Sequence, residues 1–296
     1  MAESERVDFD KLWNYADPAG TEAQFRALLP AAEASGNADY LAQLLTQIAR
    51  AQGLQDRFAE AHATLDQVIR MFGYHVPPVV ETRYLLERGR LCNSADDGEA
   101  AMQWLIDAEL VAAEHGLTGY RIDAMHMIAI VHPETEHQVL WNLDAIELAL
   151  ADPSQHGWLH ALYNNLGESY ARLGQYEDAL DAFRKMAELD TSKGNEPEIY
   201  TLKDQSRVLR ALGRFEEALA IIEPIALRLD AEKKRDGWIS EEYAECLLLA
   251  GRADEAKPHF ALADELLKND PWVLKHEPLK LDRLRRLAPS ADADRP

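Results

Sequence analysis

The chain has 296 residues, 47% of them apolar and 28% charged, which excludes wholesale disorder and leaves ample material for a core. Its 52 acidic and 31 basic side chains give a formal net charge of −21, an excess that repels phosphate backbones and anionic lipid surfaces and argues against nucleic-acid or membrane binding. Two cysteines, Cys92 and Cys246, cannot form a disulfide framework or a four-cysteine zinc site, and with no signal-like start and no apolar run near the ~18 residues of a membrane helix, the composition fits a reduced, cytoplasmic protein.

Alternating strand patterns are scarce, whereas Ala, Leu, Glu and Arg recur at helical spacing along nearly the whole chain, so an all-α protein is expected. Thr21 to Ala34 forms the first helix. Phe58, Ala61 and Leu65 then open a series with a period near 40 residues. Ala101, followed by Leu105, comes 40 residues after Ala61; Ala179 comes 78 later, followed by Ala218 at 39 and Ala256 at 38. The missing member falls near position 140, where Leu140 and the helix-ending Pro133 make a degenerate copy. Turn glycines precede the later alanines at Gly174, Gly213 and Gly251. The last helix spans Pro278 to Leu287, and the polar tail PSADADRP is expected to be mobile.

The most informative segment is ALYNNLGESYARLGQYEDALDAFRKMAELD, Ala161 to Asp190. Two antiparallel helices approach closely only where facing positions are small, here Gly167 and Ala179, with Tyr163, Tyr170 and Phe183 filling the space around them. Tyr163, Leu166-Gly167, Tyr170, Ala179 and Phe183 resemble the tetratricopeptide repeat, with Tyr in place of the usual Trp and Thr191 where Pro is common. The resemblance implies an all-α, right-handed superhelical solenoid of helix-turn-helix repeats with terminal capping helices. Residues 1–38 are then N-terminal capping helices. About six repeats occupy residues 39–270, the fourth, near 122–152, being degenerate, and residues 271–296 supply a C-terminal capping helix and the tail.

Proteins of this kind bind segments of other proteins along the face formed by successive first helices. Residues 18, 15, 11 and 8 or 7 positions before each anchor alanine share one helical face. They include Arg83 and Arg90; Asn164, Glu168 and Arg172; Tyr200, Lys203, Arg207 and Arg210; and Trp238, Glu241 and Glu245. Allowing three extra residues in the turn before Phe58 adds Tyr40, Gln43, Gln47 and Arg50. Seven basic residues against three acidic ones predict a groove of about +4 inside an acidic shell, suited to a carboxylate-rich peptide or a free C-terminus that arginines can hold by forked hydrogen bonds. The competing expectation is that Glu168, Arg207 and Glu245, equivalent on successive repeats, pair with one another and neutralise the groove.

A lysine-and-asparagine clamp for a chaperone's C-terminal carboxylate, known in some proteins with this repeat, is not expected. Asn165 fits one clamp position, but Asp204 and Met127 stand where basic residues are needed. His126, His132 and His137, and the pair His156 and His160, lack the third ligand and helical context of a zinc motif, and no phosphate loop or nucleophile elbow is present. The sequence therefore predicts a protein-binding or peptide-binding scaffold with no catalysis, metal or cofactor. The alternative is a regulatory sensor whose solenoid changes pitch on binding a small peptide or anion, a plan similar to bacterial peptide receptors.

Overall fold

Local chemistry at the chain's turns sets the helix boundaries. In the computed structural model, which describes residues 7–288 apart from Tyr74, fifteen α-helices are present and no strand occurs among the described residues. None of the described helices is long and apolar enough to cross a membrane. Two compact units divide the chain, Met1–Leu162 and Tyr163–Pro296, with the division falling inside helix α8.

The first unit opens with a short 3-10 helix (Phe9–Leu12), followed by α1 (Pro18–Ala34), α2 (Ala38–Gly53) and α3 (Phe58–Phe72). After these come α4 (Pro78–Ser94), α5 (Gly98–Glu114), α6 (Thr118–Val131) and α7 (Thr135–Ala151), with a second 3-10 segment at Pro153–Trp158. Side chains of Asp17, Asn37 and Asp97 accept hydrogen bonds from the backbone amides of Gly20, Tyr40 and Ala100, satisfying donors that the first turn of a helix leaves free. Consecutive helices pack on one another, so each helix pair buries its apolar stripe against the next.

The second unit contains most of α8 (Leu159–Arg172), then α9 (Tyr176–Ser192), α10 (Ile199–Ala211), α11 (Phe215–Ala231) and α12 (Gly237–Leu249). It ends with α13 (Ala253–Leu267), the short α14 (Pro271–His276) and α15 (Pro278–Leu287). The tail PSADADRP lies outside the described residues.

One geometry recurs at the tight turn inside five helix pairs. Gly174, Gly213 and Gly251 adopt φ of 73°, 74° and 81°, and the same turn position is filled by Asp56 at 59° and Asp96 at 61°. At each turn the following amide bonds back to a carbonyl five residues earlier, as in Arg57 to Gln52, Asp97 to Cys92, Gln175 to Tyr170, Arg214 to Leu209 and Arg252 to Leu247. This closing bond ends the first helix and aims the second. Each turn residue stands five positions before its anchor alanine, so the turn before Phe58 contains no extra residues. The groove register of the first pair is corrected accordingly: Arg50, not Gln47, is the equivalent of Arg90, Glu168, Arg207 and Glu245.

The anchor alanines Ala61, Ala101, Ala179, Ala218 and Ala256 are all fully buried. Twelve residues earlier stand Ala49, Gly89, Gly167, Ser206 and Ala244, small side chains that let the two helices approach. Four residues later stand Leu65, Leu105, Phe183, Ile222 and Phe260, which fill the core. The fit at Gly167 is tight, since a Cβ built there would lie 2.7 Å from the Phe183 ring. Gly167→Val is expected to lower stability by about 1–3 kcal/mol through overpacking. Gly98→Ala, at a helix start with open space around it, serves as the control and is expected to leave the urea midpoint nearly unchanged.

Candidate functional site

In the first unit, the exposed faces of α2, α4 and the start of α6 border a cavity of about 610 Å³, closed at its sides by Trp13 and Tyr15 from the N-terminal segment and by Trp158. That segment is held by its own chemistry. Phe9 is 5% exposed and packs on Phe25 and Tyr40, while Asn14 and Thr21 exchange backbone and side-chain hydrogen bonds at 3.1 Å. Trp13 Nε1 donates to Gln47 Oε1 at 2.8 Å, which places its indole along α2. Tyr40, expected in the groove, is instead buried beneath Phe9. Its place three residues into α2 turns it toward the N-terminal core rather than the cavity.

Three arginines line this cavity and differ in their partners. Arg90 donates to Glu87 at 2.5 Å and to both oxygens of Asp123 at 2.5 and 2.6 Å, so it is committed to the fold. Burial opposes ionisation of Asp123, but the Arg90 guanidinium, with help from Arg50, outweighs it and holds the carboxyl below its ordinary range. Arg50 lies over the rings of Trp13 and Tyr15, 5.2 and 5.4 Å from their centroids. Arg83 lies over Tyr120 at 5.1 Å and Phe9 at 5.9 Å and donates to the Tyr120 hydroxyl at 2.7 Å. Neither Arg50 nor Arg83 forms an ion pair among the described residues. Aromatic faces orient a guanidinium without consuming its charge, so both remain available to an incoming carboxylate.

The second unit has its own groove, about 440 Å³, bordered by α8, α10, α12, α14 and α15. Here the cations are spent internally. Lys203 pairs with Asp204 at 2.9 Å, Arg207 with Glu168 at 2.5 Å, Arg210 with Glu242 at 2.9 Å, Lys280 with Glu241 at 2.8 Å, and Arg283 with Glu245. Six carboxylates face five cations in this lining, which corrects the expected positive groove for this unit. Burial pushes the Glu241 carboxyl upward despite Lys280 beside it, a sign of how closed this network is. Trp238 is covered by the Lys280 ammonium at 4.5 Å and abuts Trp272 edge to face. Tyr200 donates its hydroxyl to Asp236 at 2.6 Å, Arg172 is exposed and reaches Ser169 Oγ at 3.2 Å, and Asn164 is half-buried on α8; none of the three lines the cavity.

Two sets of lining residues were missed in the sequence. Fourteen positions before the anchors stand Glu87, Asn165, Asp204 and Glu242, in line with Gln47, which the spacing had already placed in the groove; all but Asn165 line the two cavities. The polarity of that column in all five anchored pairs was a readable signal. The second set is Lys280 and Arg283, which sit 39 and 38 residues after Glu241 and Glu245 and so continue the repeat period into α15, expected only as a cap. Cys246 is buried beside Ser206 and Glu242, and burial pushes its thiol up to about 12, which leaves it protonated at neutral pH. No group of three or more His, Cys, Asp or Glu side chains that could hold a metal occurs among the described residues.

The tetratricopeptide repeat family model matches residues 158–223. Among solved structures, the apo form of the quorum sensor NprR from B. thuringiensis is 17% identical, with 94% of this chain and 79% of that chain covered and a TM-score of 0.63. BtubC from P. vanneervenii is 16% identical over 77% of this chain and 92% of its own, with a TM-score of 0.60. NprR in complex with its cognate peptide NprX is 16% identical over 97% and 84%, with a TM-score of 0.53. These likenesses show a shared fold. No curated protein sequence matches the chain.

Proposed function

We propose that this tetratricopeptide-repeat protein is a non-enzymatic scaffold that holds a carboxylate-bearing peptide segment in the groove of its first unit. The observation that carries the reading is the pair of guanidiniums, Arg50 and Arg83, that face the 610 Å³ cavity on aromatic supports with no ion-pair partner among the described residues. A cavity of that size, apolar along Trp13, Tyr120 and Trp158 with a few convergent polar groups, suits a short segment rather than a flat protein surface. NprR, which shares the fold, holds its cognate peptide NprX in one of its structures, and that supports a peptide as the ligand here.

The second groove serves the scaffold. Its ion pairs link α8 to α10, α10 to α12, and α12 to α15, each worth no more than about 1 kcal/mol where exposed, and together they fix the register of the stack. The reading is tested by passing a random peptide library over the immobilised full chain at low and then high ionic strength. Retained peptides should be enriched in acidic residues or dependent on a free C-terminal carboxylate, and should elute as salt rises. Retention of apolar peptides that is indifferent to salt would contradict it.

A further inference from the structure

The groove contains an acceptor that a carboxylate ligand would leave unused. Glu87 is only 3% exposed, lines the first-unit cavity, and stands one helical turn from Arg83 on α4. Its Oε1 accepts from Arg90, while its Oε2 has no hydrogen-bond partner. A buried carboxylate oxygen in that state is costly, and the cost is removed by any donor that reaches it. Arg90 reaches only one of the two oxygens: its Nη1 donates to Oε1, while its Nη2 is bound to both oxygens of Asp123. Within the group of Arg90, Glu87 and Asp123 the carboxylates exceed the guanidinium by one negative charge; Arg50 acts on the Asp123 side of that group, and on the Glu87 side the excess favours a cationic donor over a neutral one.

We propose that the groove reads both ends of its ligand: a free ammonium on Glu87 and a carboxylate on Arg50 and Arg83, so that the ligand class is a short, unblocked peptide. The inference rests on the groove reading above and narrows it. The two signs of charge lie on one face of α4 and the adjoining α2, within a cavity suited to a few residues. A ligand of one sign alone would satisfy half of this arrangement. An N-acetylated peptide would bring an amide in place of the ammonium and lose the charge match with Glu87.

The test is affinity selection of a tetrapeptide library on the full chain, each member supplied in equal amounts with a free and with an acetylated N-terminus and with a free and with an amidated C-terminus, and the retained population measured by mass spectrometry. Free-amine members should exceed their acetylated counterparts by at least about tenfold on the native protein. On Glu87→Gln that ratio should fall to about one, while the preference for a free over an amidated C-terminus persists. Because the readout is a ratio within one sample, a modest loss of stability in the variant does not mimic the result. Equal retention of free and acetylated forms by the native protein would overturn the inference and leave the carboxylate reading standing, as would an amine preference that survives in Glu87→Gln. Retention of no peptide in either form would overturn both.

Discussion

Replacing Arg90 with alanine is expected to destabilise the first unit by about 3–5 kcal/mol, because it leaves the half-buried Asp123 and the buried Glu87 without the guanidinium that joins them. The loss has a defined pH dependence. In the native protein the Asp123 carboxyl titrates below its ordinary value of 3.8, so its stabilising contribution is complete above that value and is lost as pH falls through the depressed one. In Arg90→Ala, burial is no longer outweighed and the carboxyl shifts upward, so the variant suffers most at neutral pH and recovers as acid protonates it. Urea unfolding at pH 7 and near pH 4 should therefore show a gap between variant and native protein that narrows on acidification. A gap that is constant with pH would mean that Arg90 acts through packing alone. Arg90→Ala combined with Asp123→Asn should be more stable than Arg90→Ala at neutral pH, since the second change removes the stranded charge.

The repeat frame was legible because its signals are local and repeated. A small residue must stand wherever two helices touch, and Gly167 with Ala179, or Ser206 with Ala218, announces that contact from the sequence alone. The register of the first pair was misread because its turn lacks a glycine: Asp56 takes the left-handed conformation that glycine takes at Gly174, which short polar side chains tolerate better than most. The groove's charge was misread for a different reason. Helical spacing identifies which residues share a face, but the balance on that face depends on neighbours from other helices, such as Asp123 beside Arg90 or Lys280 beside Glu241. The covering of Tyr40 by Phe9 depends on how a loop folds back, and neither periodicity nor composition carries that.

The contrast between the two grooves gives the second large effect. Arg50 and Arg83 form no ion pair among the described residues, Arg50 acting on Asp123 only at longer range, whereas Lys203 and Arg207 are each paired within the second unit. Removing a charge that no ion pair holds should cost binding more than stability. Each lost charge-assisted hydrogen bond to a carboxylate is worth about 1.5–3 kcal/mol, so Arg50→Gln with Arg83→Gln should weaken a carboxylate-bearing peptide by roughly 100-fold or more. Lys203→Gln with Arg207→Gln should change stability by no more than about 1–2 kcal/mol and leave peptide affinity within about twofold.

The most direct test is a calorimetric titration of one retained peptide into the native chain and into these two double variants under the same low-salt conditions. The groove assignment predicts that affinity is lost in the Arg50 and Arg83 variant and preserved in the Lys203 and Arg207 variant. Affinity preserved in the first and lost in the second would place recognition in the other unit and contradict the account.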